Sequence, residues 1–121
     1  MNFLRPIGYL EYSDFSSNGD LLLAKTRPVF IMIQGSYCEA CSKAKSAFQE
    51  LANQNKIICM TIQIDGVRQS ERDISKILDK IYPNLKGVPS YILYKDQRNR
   101  IPYTGGRSLK EMEDFVQANS I

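Results

Sequence analysis

Histidine is absent from the 121 residues, and cysteine occurs only three times. Without an imidazole the chain has no histidine general base, so any proton transfer near neutrality must use another group. Three cysteines and no histidine also fall short of the four nitrogen or sulfur ligands that a tetrahedral structural zinc site needs within one chain. Neither a metal nor a cofactor is expected. Long apolar runs are missing too. Residues 21–24 and 29–33 are far too short to span a bilayer, and the first six residues lack the apolar region of a secretory signal. The expectation is therefore no membrane and a cytoplasmic location, where dithiols are more often catalytic or metal-binding than structural. No low-complexity tract or internal repeat is visible. The net charge of +3 is spread along the chain, with only Arg98 and Arg100 close together, so the concentrated patch that nucleic-acid binding requires is not there either.

What is present is an ordinary globular composition, 43% hydrophobic and 24% charged. A chain of this length buries an adequate core as a single domain over residues 1–121, and a monomer is expected. Its chemistry concentrates in Tyr37-Cys38-Glu39-Ala40-Cys41. This motif sits between an apolar run, residues 28–33, and a segment, residues 43–54, whose apolar positions recur at helical spacing. A strand is thus expected to deliver Cys38 onto the first turn of a helix. There, unpaired backbone N–H groups and the positive end of the helix dipole favour thiolate over thiol. Cys38 is the candidate nucleophile, and Cys41, one turn deeper on the same face, the candidate resolving thiol. A purely structural disulfide is the plainer alternative, but a bridge closing so short a loop constrains the unfolded chain little.

Along the chain, residues 7–12 predict a short first strand at a sheet edge, with Pro6 and Gly8 against a longer one. Ser16-Ser17-Asn18-Gly19-Asp20 predicts a turn running into a helix with Leu21, Leu22 and Ala24 facing a core. Residues 29–33 predict a strand covered on both faces. Ala44, Ala47, Phe48, Leu51 and Ala52 mark the buried stripe of the next helix, with Lys43, Lys45, Gln49 and Glu50 elsewhere. Residues 57–64 predict a second central strand closed by Asp65-Gly66. Ser70-Glu71-Arg72-Asp73 has the form of a capping box opening a helix with Ile74, Ile77, Leu78 and Ile81 on one face, ended by Pro83. Tyr91-Ile92-Leu93-Tyr94 and residues 100–103 predict an antiparallel pair. Ser108-Leu109-Lys110-Glu111 predicts the cap of a last helix facing inward through Leu109, Met112, Phe115 and Val116. The order is βαβαβαββα, an α/β fold.

A strand leading to a CxxC on a helix, a Gly87-Val88-Pro89 before a hairpin, then Tyr103-Thr104-Gly105 and a terminal helix together resemble thioredoxin and the thioredoxin-like domains of protein disulfide isomerases. The resemblance spans roughly residues 14 to 119. It implies a central mixed sheet of four to five strands flanked by helices on both faces, and thiol-disulfide exchange on protein substrates. Cys38 matches the family's exposed nucleophile and Cys41 its buried partner. Val88-Pro89 matches the pair joined by a cis peptide bond beside the dithiol, where the Val88 backbone pairs with an extended substrate segment; from the residues alone, Pro89 reads as an ordinary strand-starting proline. Gly105 matches a glycine lining the same groove, and Tyr37 stands where a tryptophan usually precedes the first cysteine. The chain departs from the family in three further places. Glu39-Ala40 replaces Gly-Pro, Met32 stands at the position of a buried acid, and Thr61 at that of its lysine. Cys59 matches nothing catalytic and reads as a buried, inert thiol.

The resulting expectation is a reductase of protein disulfides, recharged by an external reductant such as a reductase or a small dithiol, with no cofactor. Two alternatives stand beside it. One is a binding or folding module with weak turnover, motivated by the missing tryptophan, proline and acid. The other is an oxidase or isomerase, were the protein exported.

Overall fold

The structure, a computed structural model, describes residues 2–119. Five strands form one mixed sheet: β1 (Gly8–Tyr9), β2 (Val29–Gln34), β3 (Ile58–Gln63), β4 (Ser90–Tyr94) and β5 (Arg100–Tyr103), in the spatial order β1-β3-β2-β4-β5. β2 is central and buried along its whole length, as its uninterrupted apolar run predicts. It pairs in parallel with β3, Met32 opposite Thr61, and antiparallel with β4, Met32 opposite Tyr91. On one face lie α1 (Glu39–Asn53) and α4 (Leu109–Asn119), closing over Phe30, Met32, Phe48, Leu51, Tyr91, Tyr103, Met112 and Val116. The other face is covered by α2 (Gln69–Arg72), a 3-10 turn (Asp73–Ile77) and α3 (Leu78–Ile81), which bury Ile31, Ile33, Ile62, Ile74, Ile77 and Ile81. Each such aliphatic side chain contributes about 1.5–3 kcal/mol by leaving water.

Three elements differ from their sequence expectation. The first strand is an edge, as expected, but only two residues long. After Leu10 donates its N–H to the Thr61 carbonyl at 2.9 Å, Asp14 Oδ2 accepts the Glu11 N–H at 2.7 Å and bends the chain into a 3-10 turn, Tyr12–Asp14. The helix expected from Leu21 is a single 3-10 turn, Leu22–Lys25. The segment is held by other bonds: the Leu21 N–H donates to Gln97 O at 2.9 Å, and Leu22 O, which a continuing helix would turn to the Thr26 N–H, accepts from Gln97 Nε2 at 3.0 Å. The helical stretch after β3 is broken into three pieces, and its cap lies at Arg68 rather than at Ser70. Glu71 Oε2 accepts both the Arg68 N–H, at 3.4 Å, and Arg68 Nε, at 2.7 Å, while Ser70 Oγ is turned to Glu11 Oε1 at 2.6 Å.

The second edge strand, β5, carries an exposed proline, Pro102, and is tied down by Arg100. That guanidinium lies over the Tyr94 ring and donates to Gly19 O at 3.0 Å and Lys80 O at 2.7 Å. Gly19 has φ +81, and a side chain there would meet the backbone of Lys80 and Ile81 at 3.0 Å, so only glycine fits comfortably.

Candidate functional site

β2 ends at Gln34, and the loop Gly35-Ser36-Tyr37 carries the chain to Cys38, the N-cap of α1. Ser36 anchors this loop to the turn after β3: its N–H donates to Asp65 Oδ1 at 2.9 Å and its hydroxyl to Asp65 Oδ2. These bonds hold the Asp65 carboxyl below its ordinary value. A Cβ on Gly35 would come within 2.6 Å of the Tyr37 ring, so the exposed ring would have to swing aside.

Cys38 and Cys41 are joined as a disulfide, their Cα atoms 5.2 Å apart. The helix start separates their surroundings as the sequence predicts, leaving Cys38 half-buried and Cys41 wholly buried. The Cys41 N–H points at Cys38 Sγ, 3.1 Å away, and a backbone donor aimed at a sulfur favours thiolate over thiol there. On the other side of that sulfur lies the Val88 carbonyl, at 3.6 Å. The Val88-Pro89 peptide is cis. Glu39 is 87% exposed and lies 3.7 Å from Lys43 Nζ. Tyr37 is 69% exposed beside Cys38. Gly105, in the loop between β5 and α4, lies against the Tyr103 ring.

Beneath α1 the sheet is polar in an unexpected place. Thr61 Oγ1 donates to the Met32 carbonyl at 2.8 Å, and Gln34 Nε2 lies 3.3 Å from Thr61 Oγ1 and 3.4 Å from Gln63 Oε1, all buried. Met32 is fully buried in the same cluster as Cys41 and supplies no acid there.

Two residues escaped the sequence reading. The sequence pattern sets Lys45 apart from the buried stripe of α1, but the residue is only 3% exposed, and its Nζ lies 5.7 Å from the centre of the Phe3 ring. Burial lowers its pKa, and the charge of Asp65 opposes that shift. Tyr91 was read only as a strand residue. Its ring packs on Phe30, Phe48 and Tyr103, and its buried hydroxyl has no hydrogen-bond partner among the described residues. Burial pushes the phenol up to about 12, with the charge of Arg107 pulling the other way. Cys59 is buried and unpaired, its thiol raised to about 12 by burial, which keeps it from ionising. Among the described residues no group of three or more His, Cys, Asp or Glu side chains is placed to hold a metal ion.

No protein-family model matches the sequence. The thioredoxin-like protein 453L of Invertebrate iridescent virus 6 is 35% identical over 131 aligned residues, which cover 94% of each chain. Among solved structures, thioredoxin f from spinach chloroplast in its short form superposes with a TM-score of 0.68 at 14% identity, over 100% of this chain and 99% of the other. The J-Trx1 fragment of ERdj5 superposes with a TM-score of 0.71 at 14% identity, over 94% of this chain and 51% of that one. Human ERp44 in form I gives a TM-score of 0.72 at 14% identity, over 98% of this chain and 30% of the other. These structures share the fold, a mixed sheet with helices on both faces.

Proposed function

The chain belongs to the thioredoxin-like proteins and is a thiol-disulfide oxidoreductase, and on that premise we propose that it reduces disulfide bonds in protein substrates through Cys38 and Cys41. The observation that carries this reading is the asymmetry of the pair: a half-buried Cys38 Sγ faces a backbone N–H and the Val88 carbonyl, while Cys41 is sealed behind it. In the reduced protein the Cys38 thiolate attacks one sulfur of the substrate disulfide. That S–S bond breaks, a Cys38–substrate disulfide forms, and the departing substrate thiolate takes a proton from water. Cys41 then loses its proton and attacks Cys38 Sγ, releasing the second substrate sulfur as a thiol and closing Cys38–Cys41. Two electrons pass from protein to substrate.

Tyr37, Val88, Pro89 and Gly105 line the approach in this reading, with the Val88 backbone pairing to an extended substrate segment. An external reductant, a reductase or a small dithiol, returns the pair to the reduced state. A thioredoxin f2 solved in complex with ferredoxin:thioredoxin reductase, similar in fold at a TM-score of 0.66 and 12% identity, supports a partner of that kind. The setting proposed is the cytoplasm, where dithiols are kept reduced.

A second reading, a binding module with weak turnover, is favoured by one observation, the buried thioether of Met32 beneath the dithiol. Insulin reduction by dithiothreitol separates the two. A reductase accelerates it above the uncatalysed rate and loses that acceleration on Cys38→Ser; a binding module does neither.

A further inference from the structure

We propose that Lys45 is a positioning residue for the resolving step, its buried ammonium stabilising the Cys41 thiolate that attacks Cys38 Sγ. This rests on the reductase reading above, in which Cys41 gives up a proton while sealed from solvent. Burial disfavours the charged form of a thiol, as at Cys59, whose thiol is raised to about 12. Cys41 is wholly buried, and Met32 of the same cluster offers it no acid. The backbone donor at the start of α1 is aimed at Cys38, not at Cys41.

Lys45 follows Cys41 by four residues on α1, the spacing that stacks two side chains on one helix face with Cβ atoms about 5–6 Å apart. Helical side chains lean toward the N-terminus, which carries the Lys45 stem back over the turn that holds Cys41. Both residues are sealed inside, and the Phe3 ring, 5.7 Å from Lys45 Nζ, belongs to the same core as Cys41. That ring and the Asp65 carboxylate, whose charge opposes the effect of burial, both favour the protonated amine. On the sheet beneath α1, Gln34, Thr61 and Gln63 are buried and polar but carry no charge. The titratable side chains that other elements bring to the Cys41 cluster are Tyr9, Cys59, Tyr91 and Tyr103, none of them a cation. Arg107, in the loop before α4, reaches Tyr91 with its charge. Lys45 is the cation on the helix face of Cys41 itself, and in a poorly polarisable interior a charge one turn away acts strongly. In the step, the Cys41 proton passes to water and the Cys38–substrate S–S bond breaks as Cys38–Cys41 forms. The substrate sulfur leaves as a thiolate and takes up a proton.

Cys38→Ser leaves Cys41 free to titrate, and ultraviolet absorbance of its thiolate reads the midpoint clear of Cys59, which ionises only near about 12. Adding Lys45→Met, which keeps the stem and removes the charge, should raise that midpoint by about one unit, whereas Lys45→Arg should hold it near the native value. With both cysteines in place, Lys45→Met should slow resolution of a mixed disulfide with a peptide substrate about tenfold near neutral pH. The first attack by Cys38 should change far less, and the gap should persist at high salt, since a buried charge is weakly screened. Should Lys45→Met fold poorly, Lys45→Gln removes the same charge behind a polar head and is read in the same way. An unmoved midpoint and resolution rate in the neutral variant overturn the role and leave the reductase reading intact. Equal rises in the neutral variant and Lys45→Arg also overturn it, because shape rather than charge would then be the cause. A native chain that forms no mixed disulfide with any peptide disulfide sinks the reductase reading, and this role with it.

Discussion

Toward α1 and α4, strands β2 and β3 present Phe30, Met32, Gln34, Cys59, Thr61 and Gln63, whereas toward α2 and α3 the same strands present Val29, Ile31, Ile33 and Ile62. The first face is aromatic, with Phe3, Phe48, Tyr91, Tyr103 and Phe115 in ring contact, and it admits buried polar groups, Lys45 among them. The second is mostly branched aliphatic and tolerates a helix broken into short turns, because packing rather than helix continuity holds it. Sulfur chemistry thus sits on the face with rings and hydroxyls, and the other face serves chiefly as its foundation.

The largest test of that division is at the sulfur itself. Cys38→Ser should drop insulin reduction to the uncatalysed rate, and Cys41→Ser should trap a mixed disulfide through Cys38, visible by mass spectrometry; limiting iodoacetamide that labels Cys41 or Cys59 first would contradict the roles. Next come paired truncations. Ile31→Ala should cost about 2–5 kcal/mol in urea unfolding, and Phe30→Ala about 3–5 kcal/mol. Only the second, on the Cys41 side, should also shift the reduction potential of the dithiol, and equal shifts would erase the distinction between faces. Met32→Asp places a proton acceptor in the Cys41 cluster and should speed resolution of a mixed disulfide by about 10²-fold, while lowering stability by putting an ionisable group in an apolar strand. Stopped-flow rates across neutral pH read this directly, and superimposable profiles would mean that another group is the base.

A smaller effect is expected at Asp65. Its carboxyl is held below the ordinary 3.8, so it adds stability above that value and loses it as pH falls through the folded value. Asp65→Asn should flatten this acid limb in urea melts and, by loosening Ser36, raise the mobility of the cysteine loop. Smallest of all is Glu39→Gln. Removing a like charge beside Cys38 favours the thiolate and should move the potential upward, but exposure and the Lys43 pairing screen most of it. A downward shift would show that the residue between the cysteines acts through the helix start instead.

The central strands and the dithiol were legible because each is specified locally: unbroken apolar runs for β2 and β3, and a CxxC placed where a strand meets a helical stripe. The missing helix after Leu21 was not, since the groups that replace it belong to Gln97, far along the chain. Lys45 was hidden by its chemistry rather than its position. It lies four residues after Cys41 and three before Phe48, on the inward stripe by angle, and only the charge directed it outward in the reading. The Tyr91 hydroxyl was lost inside an apolar run, where the pattern reports burial and says nothing of one oxygen. The cap at Arg68 depends on a side chain that bonds through its own Nε, a device with no sequence signature.

The two ends of the sheet carry a consequence for crowding. β1 offers a neighbouring chain only two residues of ladder, and β5 breaks its outer rim with Pro102, which has no N–H to give. Neither rim is a template on which a second molecule could build a strand. Under the proposed function, extended backbone is instead welcomed at Val88, beside the reactive sulfur. A passing polypeptide is then held lengthwise only where the encounter can end in exchange and release, and a protein that must touch many others is spared sticking to them.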